Sequence, residues 1–295
     1  MNSGYTYREQ VPQRGAGRGL AVFLAERHPH SSAPIWGERI GRGEVLLDGA
    51  APQPDQRLRA GQTIAWSRPP WEEPQVDTRF EVLFEDAFLL AVAKPRGLPT
   101  VPGGGEFLEN TLLSLVRKRT PSASPMHRLG RSTSGIVLFA LTPRARSIVQ
   151  QAFREGRMRK TYRALVQGAP PARLLIDTPI GPVLHPLLGT VHAASPTGKA
   201  SHSAARLLEQ RQGCALVEVE IATGRPHQIR IHLAAAGYPL IGDPLYLAGG
   251  GVSASLPGDP GYLLHAWRLG LAHPTSGAAL ELISRPPVEL ATQGE

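Results

Sequence analysis

The run Met126–His127–Arg128–Leu129–Gly130–Arg131–Ser132–Thr133–Ser134–Gly135 gathers two guanidinium groups, an imidazole and three hydroxyls, then passes into the apolar segment Ile136–Val137–Leu138–Phe139–Ala140. A polar loop feeding a buried strand holds its groups at the edge of a core, where charge and hydrogen bonding act strongly. Two other stretches carry comparable chemistry. One is Lys160–Thr161–Tyr162–Arg163–Ala164–Leu165–Val166, and the other runs from Thr223 to Leu233 with Arg225, His227, Gln228 and Arg230. Such groups suit anions, phosphates above all. No Asp or Glu occurs between Asn110 and Arg154, so the loop has no acid of its own.

Rival chemistries fail on spacing. Gly130–Arg131–Ser132–Thr133–Ser134 ends in Ser134 where an esterase elbow requires glycine, and it precedes a strand where the elbow follows one. Thr197–Gly198–Lys199–Ala200 lacks the upstream glycine of a phosphate-cradling loop, and Gly103–Gly104–Gly105 reads as a mobile loop. His227 and His232 have no glutamate between them, which argues against a zinc helix. No metal, nucleotide or other cofactor is expected.

The elements that position these residues follow from periodicity. Thr142 can cap a helix with Pro143 in its first turn, Ala145, Ile148, Val149, Ala152 and Phe153 repeat at the helical period, and Gly156 ends it. Lys160–Val166 reads as a strand. Ala215, Val217, Val219 and Ile221 alternate with Glu218 and Glu220, a half-buried strand. Pro226 suits the first position of a helix whose inward face carries Ile229 and Leu233 and which stops at Gly237. Phe80–Phe84 and Leu89–Ala93 form a strand pair that delivers the Lys94–Pro95 turn. Pro170 to Lys199 is too rich in Pro and Gly to place. Near the N-terminus, Leu20, Phe23 and Leu24 share one helical face and Ile35, Trp36 and Ile40 another; Val45–Leu47, Asp48–Gly49 and Thr63–Trp66 read as strand, turn and strand.

At 295 residues the chain exceeds the usual single domain, and two are expected. Residues 1–17 read as a flexible basic tail, 18–68 as a small domain, 69–78 as a Pro-rich linker and 79–295 as the large domain. Strands outnumber helices and adjacent ones are joined by short turns, so the fold class is α+β with a mixed, largely antiparallel sheet. The net charge of +8 and sequence pI near 10.1 suit a polyanionic partner such as nucleic acid. From His127 to Arg163 only Glu155 opposes a series of arginines and Lys160. The single cysteine, Cys214, reads as core packing in a reducing compartment. With no apolar run of membrane length and no signal-peptide core, a soluble cytoplasmic monomer is expected.

The loop at 126–135 resembles the signature of the ribosomal large-subunit pseudouridine synthase A family, His-Arg-Leu-Asp, two variable residues, then Thr-Ser-Gly, with Gly130 where the family has aspartate. Lys94–Pro95, Lys160–Val166, the stretch Thr223–Tyr246 and Leu264–His265–Ala266–Trp267 are also similar to family motifs, so the likeness covers about 80 to 295. The helix, helix, strand, strand order at 18–68 is similar to the small RNA-binding domain named after ribosomal small-subunit protein four, with Ser32–Ala33 where that domain usually has Ser-Arg.

The resemblance implies an isomerase that turns uridine into pseudouridine in structured RNA, ribosomal RNA first, with no cofactor. It gives Gly130 the position of the nucleophilic aspartate, Tyr162 that of the tyrosine that packs on the base and is implicated in proton removal, and Arg230 that of the aspartate's partner. It places Arg128, Arg131 and Thr133 along the substrate strand and Arg225, His227 and Gln228 across the cleft. With glycine at 130, Arg230 is expected to be an unpaired cation near a cleft, ready for an RNA phosphate or a different carboxylate, and Asp243, in a Gly-Asp-Pro turn, offers no convincing replacement for the nucleophile. A second reading follows from the same glycine: a relative that keeps the basic cleft and binds RNA without the chemistry.

Overall fold

The structure is a computed structural model that describes residues 1–103 and 105–295; the loop expected at Gly103–Gly105 falls in part on Gly104, outside the described residues. The chain divides into two compact units, Met1–Glu73 and Pro74–Glu295.

The first unit runs β1 (Tyr5–Gln10), α1 (Leu20–Arg27), α2 (Ala33–Gly41), β2 (Val45–Leu47) and β3 (Thr63–Arg68), with an antiparallel sheet in the order β1-β3-β2. Leu20, Phe23 and Leu24 meet Trp36, Ile40, Val45, Leu47 and Ile64 in one buried cluster, while Ile35 is exposed. Asp48 and Gly49 both take positive φ in the turn after β2, where the Asp48 carboxylate accepts from Thr63 N at 2.7 Å.

The expected flexible tail is a correction. Tyr5–Gln10 pairs with the whole of β3, Tyr5 opposite Arg68 and Gln10 opposite Thr63, and Val11 is buried. The alternating Tyr-Thr-Tyr favours a strand, yet every residue of β1 keeps some exposure, so no apolar face marked it.

The second unit contains β4 (Glu81–Glu85), β5 (Leu89–Lys94), α3 (Leu112–Arg119), β6 (Ser124–Pro125), β7 (Thr133–Ala140), α4 (Pro143–Arg154), β8 (Arg159–Gln167), β9 (Arg173–Ile176), β10 (Ile180–His185), β11 (Gly189–Ala194), β12 (Ser203–Arg211), β13 (Cys214–Ile221), α5 (Gln228–Ala235), β14 (Leu264–Ala272) and β15 (Ala279–Ile283). Its main sheet follows the order β4-β5-β7-β14-β8-β13-β12-β9, with β6 added to β7 and β15 to β14. Only β7 and β14 pair in parallel among the described residues, so the sheet is mixed and largely antiparallel. β10 and β11 form a separate hairpin.

Local chemistry sets the elements around the site. Thr142 Oγ1 accepts from Ala145 N at 3.2 Å, and Ala145, Val149 and Ala152 bury one face of α4. α5 is buried from Gln228 to Ala234: Ile229 and Leu233 pack on Val217 and Val219 of the sheet, while Ile231 and Ala234 pack on Ile180, Ala193 and Leu245. The helix starts two residues later than Pro226 suggests. His227 adopts a left-handed backbone (φ 56°) that a helix cannot include.

Candidate active site

Three neighbouring strands bring the sequence motifs into one register. Thr133 on β7 lies opposite Leu264 on β14, and Leu264 opposite Ala164 on β8; one step on, Gly135, Ala266 and Tyr162 form the next row. Gly135 has φ +104° and its missing Cβ faces the Ala266 backbone, so glycine alone permits this approach.

The loop ahead of β7 is pinned from beneath. Thr100 Oγ1 donates to Leu129 O at 2.9 Å and lies 3.1 Å from Leu129 N. Lys94, 1 % exposed, donates to the carbonyls of Leu98 at 2.6 Å, Pro95 at 3.0 Å and Arg131 at 3.3 Å. Burial pulls its ammonium down to about 7. Leu138 N donates to His127 Nε2 at 3.1 Å, and burial, helped by Lys160, pulls the imidazole down to about 4. His127 is therefore a neutral support for the loop.

Gly130 is exposed, but its side-chain direction is filled. A Cβ there would lie 2.7 Å from the Tyr262 hydroxyl and 3.6 Å from Thr133 Oγ1, and those two oxygens are 3.3 Å apart. Tyr262 is buried, and its ring stacks on the Arg230 guanidinium at 4.2 Å.

Arg230 is not unpaired: of the two partners left open, a phosphate or a different carboxylate, it holds a carboxylate, Asp243. Its Nε and Nη2 donate to Asp243 Oδ2 and Oδ1 at 2.7 and 2.8 Å, Nη1 donates to Pro257 O at 3.0 Å, and the Tyr246 ring flanks it at 4.8 Å. Both partners of the pair are nearly sealed from solvent, Arg230 at 2 % and Asp243 at 1 %. Asp243 also serves its turn, since Oδ1 accepts from Leu245 N and Tyr246 N. Turn formation explains the residue only in part.

The remaining residues separate into free and engaged groups. Tyr162 is half-buried between the cluster of Leu129 and Ala266 and that of Tyr262 and Leu264, and burial pushes its phenol up to about 12. Arg128 is exposed, and its charge reaches His227. Arg131 pairs with Glu106 at 3.2 Å. Arg225 donates to Ala200 O. His227 Nδ1 donates to Tyr246 Oη at 2.7 Å; burial first, then Arg230, pulls it down to about 4. Gln228 is buried and spent on Thr223, Arg225 N, His202 O and Ser203, so it fastens the loop before α5.

A cavity of about 530 Å³ touches Arg79, Arg96, Ser134, His265 and Arg285. Ser134 lies 2.9 Å from His265 Nδ1 there, and Lys94, Gly135 and Leu264 also line this cavity.

Residues 89–235 match the family model described as RNA pseudouridylate synthase. An uncharacterised RNA pseudouridine synthase of Synechocystis sp. is 41% identical over 276 residues, covering 92% of this chain and 94% of the relative. The chain belongs to the RNA pseudouridine synthase family. RNA pseudouridine synthase 5 of Arabidopsis thaliana is 37% identical (92% of this chain, 89% of the relative), and ribosomal large subunit pseudouridine synthase D of Xanthomonas campestris 32% (95% and 89%). Among solved structures, human RNA pseudouridylate synthase domain containing 1 aligns with a TM-score of 0.58 and 27% identity, over 75% of this chain and 89% of the other. The family is one of isomerases, and the α+β fold is theirs. Among the described residues of this pseudouridine synthase, no helix is long and apolar enough to cross a membrane.

The sequence reading missed Tyr262 altogether. It named the neighbouring Leu264–Trp267 run, and a tyrosine two residues before a motif strand was the available signal.

Proposed function

We propose that the chain isomerises uridine to pseudouridine in structured RNA, ribosomal RNA in the first place, and that the carboxylate serving the reaction is Asp243. The observation that carries this reading is the buried Arg230–Asp243 pair, which meets the motif loop through Tyr262 while Gly130 offers no side chain. The relative named for the ribosomal large subunit and the basic surface support the choice of RNA.

The reaction breaks the bond from C1′ to N1, turns the base and joins C1′ to C5; the C5 proton leaves and N1 takes one up. A carboxylate can attack the sugar carbon or the base, as carboxylates do at anomeric centres. Asp243 Oδ1 is taken by three donors, whereas Oδ2 accepts from Arg230 Nε and keeps a lone pair for attack. Reaching it requires the segment from Pro257 to Tyr262, which covers Arg230, to draw back as RNA enters. Tyr162 forms the wall for the base. With its phenol near 12, about one molecule in 10⁵ is phenolate at pH 7, which favours stacking over proton removal. Arg128, with no ion pair or hydrogen bond from its side chain among the described residues, is a cation for phosphate, and Arg131, Thr133, Arg225 and His227 shape the cleft around it.

The test is ribosomal RNA transcribed in vitro, incubated with the protein and read by carbodiimide-dependent stops in primer extension. New stops at one or a few uridines, absent with Tyr162→Ala, are expected; stops confined to another class of RNA would overturn the ribosomal assignment. The sealed state of Asp243, 1 % exposed, favours the second reading, RNA binding without turnover. It predicts strongly salt-dependent binding and no product at any protein concentration.

A further inference from the structure

The first unit carries a row of aromatic and cationic groups that starts on its small core, where Trp66 packs and Arg39 lies 4.7 Å from the Trp36 ring centre, and continues beyond it. On one face of its sheet, Tyr5 lies opposite Arg68 and Tyr7 opposite Trp66. The Tyr7 and Trp66 rings stack with centroids 5.2 Å apart and planes 20° apart, and Tyr5 meets Tyr7 edge-on at 4.8 Å. His30 stacks on Trp66 at 5.8 Å, and the Arg39 guanidinium lies 4.8 Å from the Trp66 ring centre. Burial, then Arg39, His28 and Arg68, lower the His30 imidazole below its ordinary value, so it presents a neutral ring.

The row changes character along its length. Trp36 is fully buried, Trp66 is half-buried, and Tyr7 and Tyr5 are 40 % and 49 % exposed. The two tyrosines lie outside the buried cluster of α1, α2, β2 and β3. They leave open ring surface beside Arg39 and Arg68, whose guanidinium also lies 3.5 Å from the Trp71 ring centre, in a chain with a net charge of +8. Rings that stack on bases beside cations that meet phosphates are what unpaired RNA requires.

We propose that the Tyr5–Tyr7–Trp66 face, flanked by Arg39 and Arg68, binds unpaired bases of the RNA on which the second unit acts. All the residues of this face belong to the first unit. The proposal rests on the RNA substrate argued above, but its test needs no turnover.

The experiment compares the full chain's affinity for a blunt RNA hairpin and for the same hairpin with a single-stranded uridine extension. The extension is expected to tighten binding, and Tyr7→Leu and Tyr5→Leu/Tyr7→Leu are expected to lose the gain, at least about fivefold per ring. Affinity for the blunt hairpin and its salt dependence should stay unchanged, because stacking rings neutralise no phosphate. An extension that adds nothing, or a double variant that keeps the whole gain, overturns the proposal. As a check free of folding defects, 4-thiouridine in the extension should photocrosslink the unaltered protein within the tryptic peptide Met1–Arg8 or the one that contains Trp66; crosslinks confined to other peptides overturn it too. If the hairpin is isomerised while the extension adds nothing, only this inference falls. If the extension is bound through Tyr5 and Tyr7 but no RNA is isomerised, only the catalytic reading falls.

Discussion

The Tyr262 hydroxyl occupies the volume into which a side chain at Gly130 would grow, 2.7 Å from the Cβ position. The space beside Gly130 is therefore already filled. Gly130 has no left-handed backbone, so among the described residues the barrier to a larger residue is this contact.

Gly130→Ala should consequently cost about 1–3 kcal/mol of stability, the range for forcing an atom into a packed site. Tyr262→Phe, which removes the oxygen, should return most of it. Urea denaturation of the two single variants and the double variant measures the coupling. Additive losses would show that the Tyr262 hydroxyl is not what resists the added methyl.

Arg230 and Asp243 should behave as one unit. Removing either partner strands a buried charge, so Arg230→Ala and Asp243→Ala should each lose about 3–5 kcal/mol, and the double variant far less than the sum. Denaturant midpoints of the three variants decide this.

Lys94 gives a pH dependence with a defined sign. Its folded value near 7 lies below the ordinary lysine value, so between these limits the unfolded chain binds a proton that the folded chain does not. The cost of burying Lys94 is complete below pH 7 and shrinks as pH rises. Relative to Lys94→Met, the unaltered protein should gain up to about 1.4 kcal/mol per pH unit from pH 7 toward 10. Urea midpoints at pH 7, 8 and 9 would contradict this if the gap stayed constant.

Much of this arrangement was legible in the sequence because short-range rules fix it. The Thr142 cap, the period of Ala145, Val149 and Ala152, and the alternation of Ala215 to Ile221 each specify an element locally, and each is found. What escaped depends on distant partners. β1 has no buried face of its own and exists by pairing with β3. β9, β10 and β11 lie among Pro and Gly residues that blur any period. Asp243 looked complete as a turn residue because its second partner, Arg230, comes from α5. The filling of Gly130's space by Tyr262 is invisible until the parallel pairing of β7 and β14 brings residues far apart in the chain together.

Among the cleft residues, binding and stability effects should separate. Arg128→Ala should weaken RNA binding and reduce the salt slope by about one. Gln228→Ala should lower the melting temperature instead, since its amide is enclosed by Thr223, Arg225, His202 and Ser203. Anisotropy titrations at several salt concentrations, paired with melting curves, distinguish the two.

The most direct measurement is tritium release from ribosomal RNA carrying uridine labelled at C5, comparing the unaltered chain, Asp243→Asn and Gly130→Asp/Tyr262→Phe. Release by the unaltered chain that disappears in Asp243→Asn, with RNA binding retained, is the expected result. Silence of the unaltered chain with release by Gly130→Asp/Tyr262→Phe would contradict it, and would mean a cleft still shaped for isomerisation but without a working carboxylate.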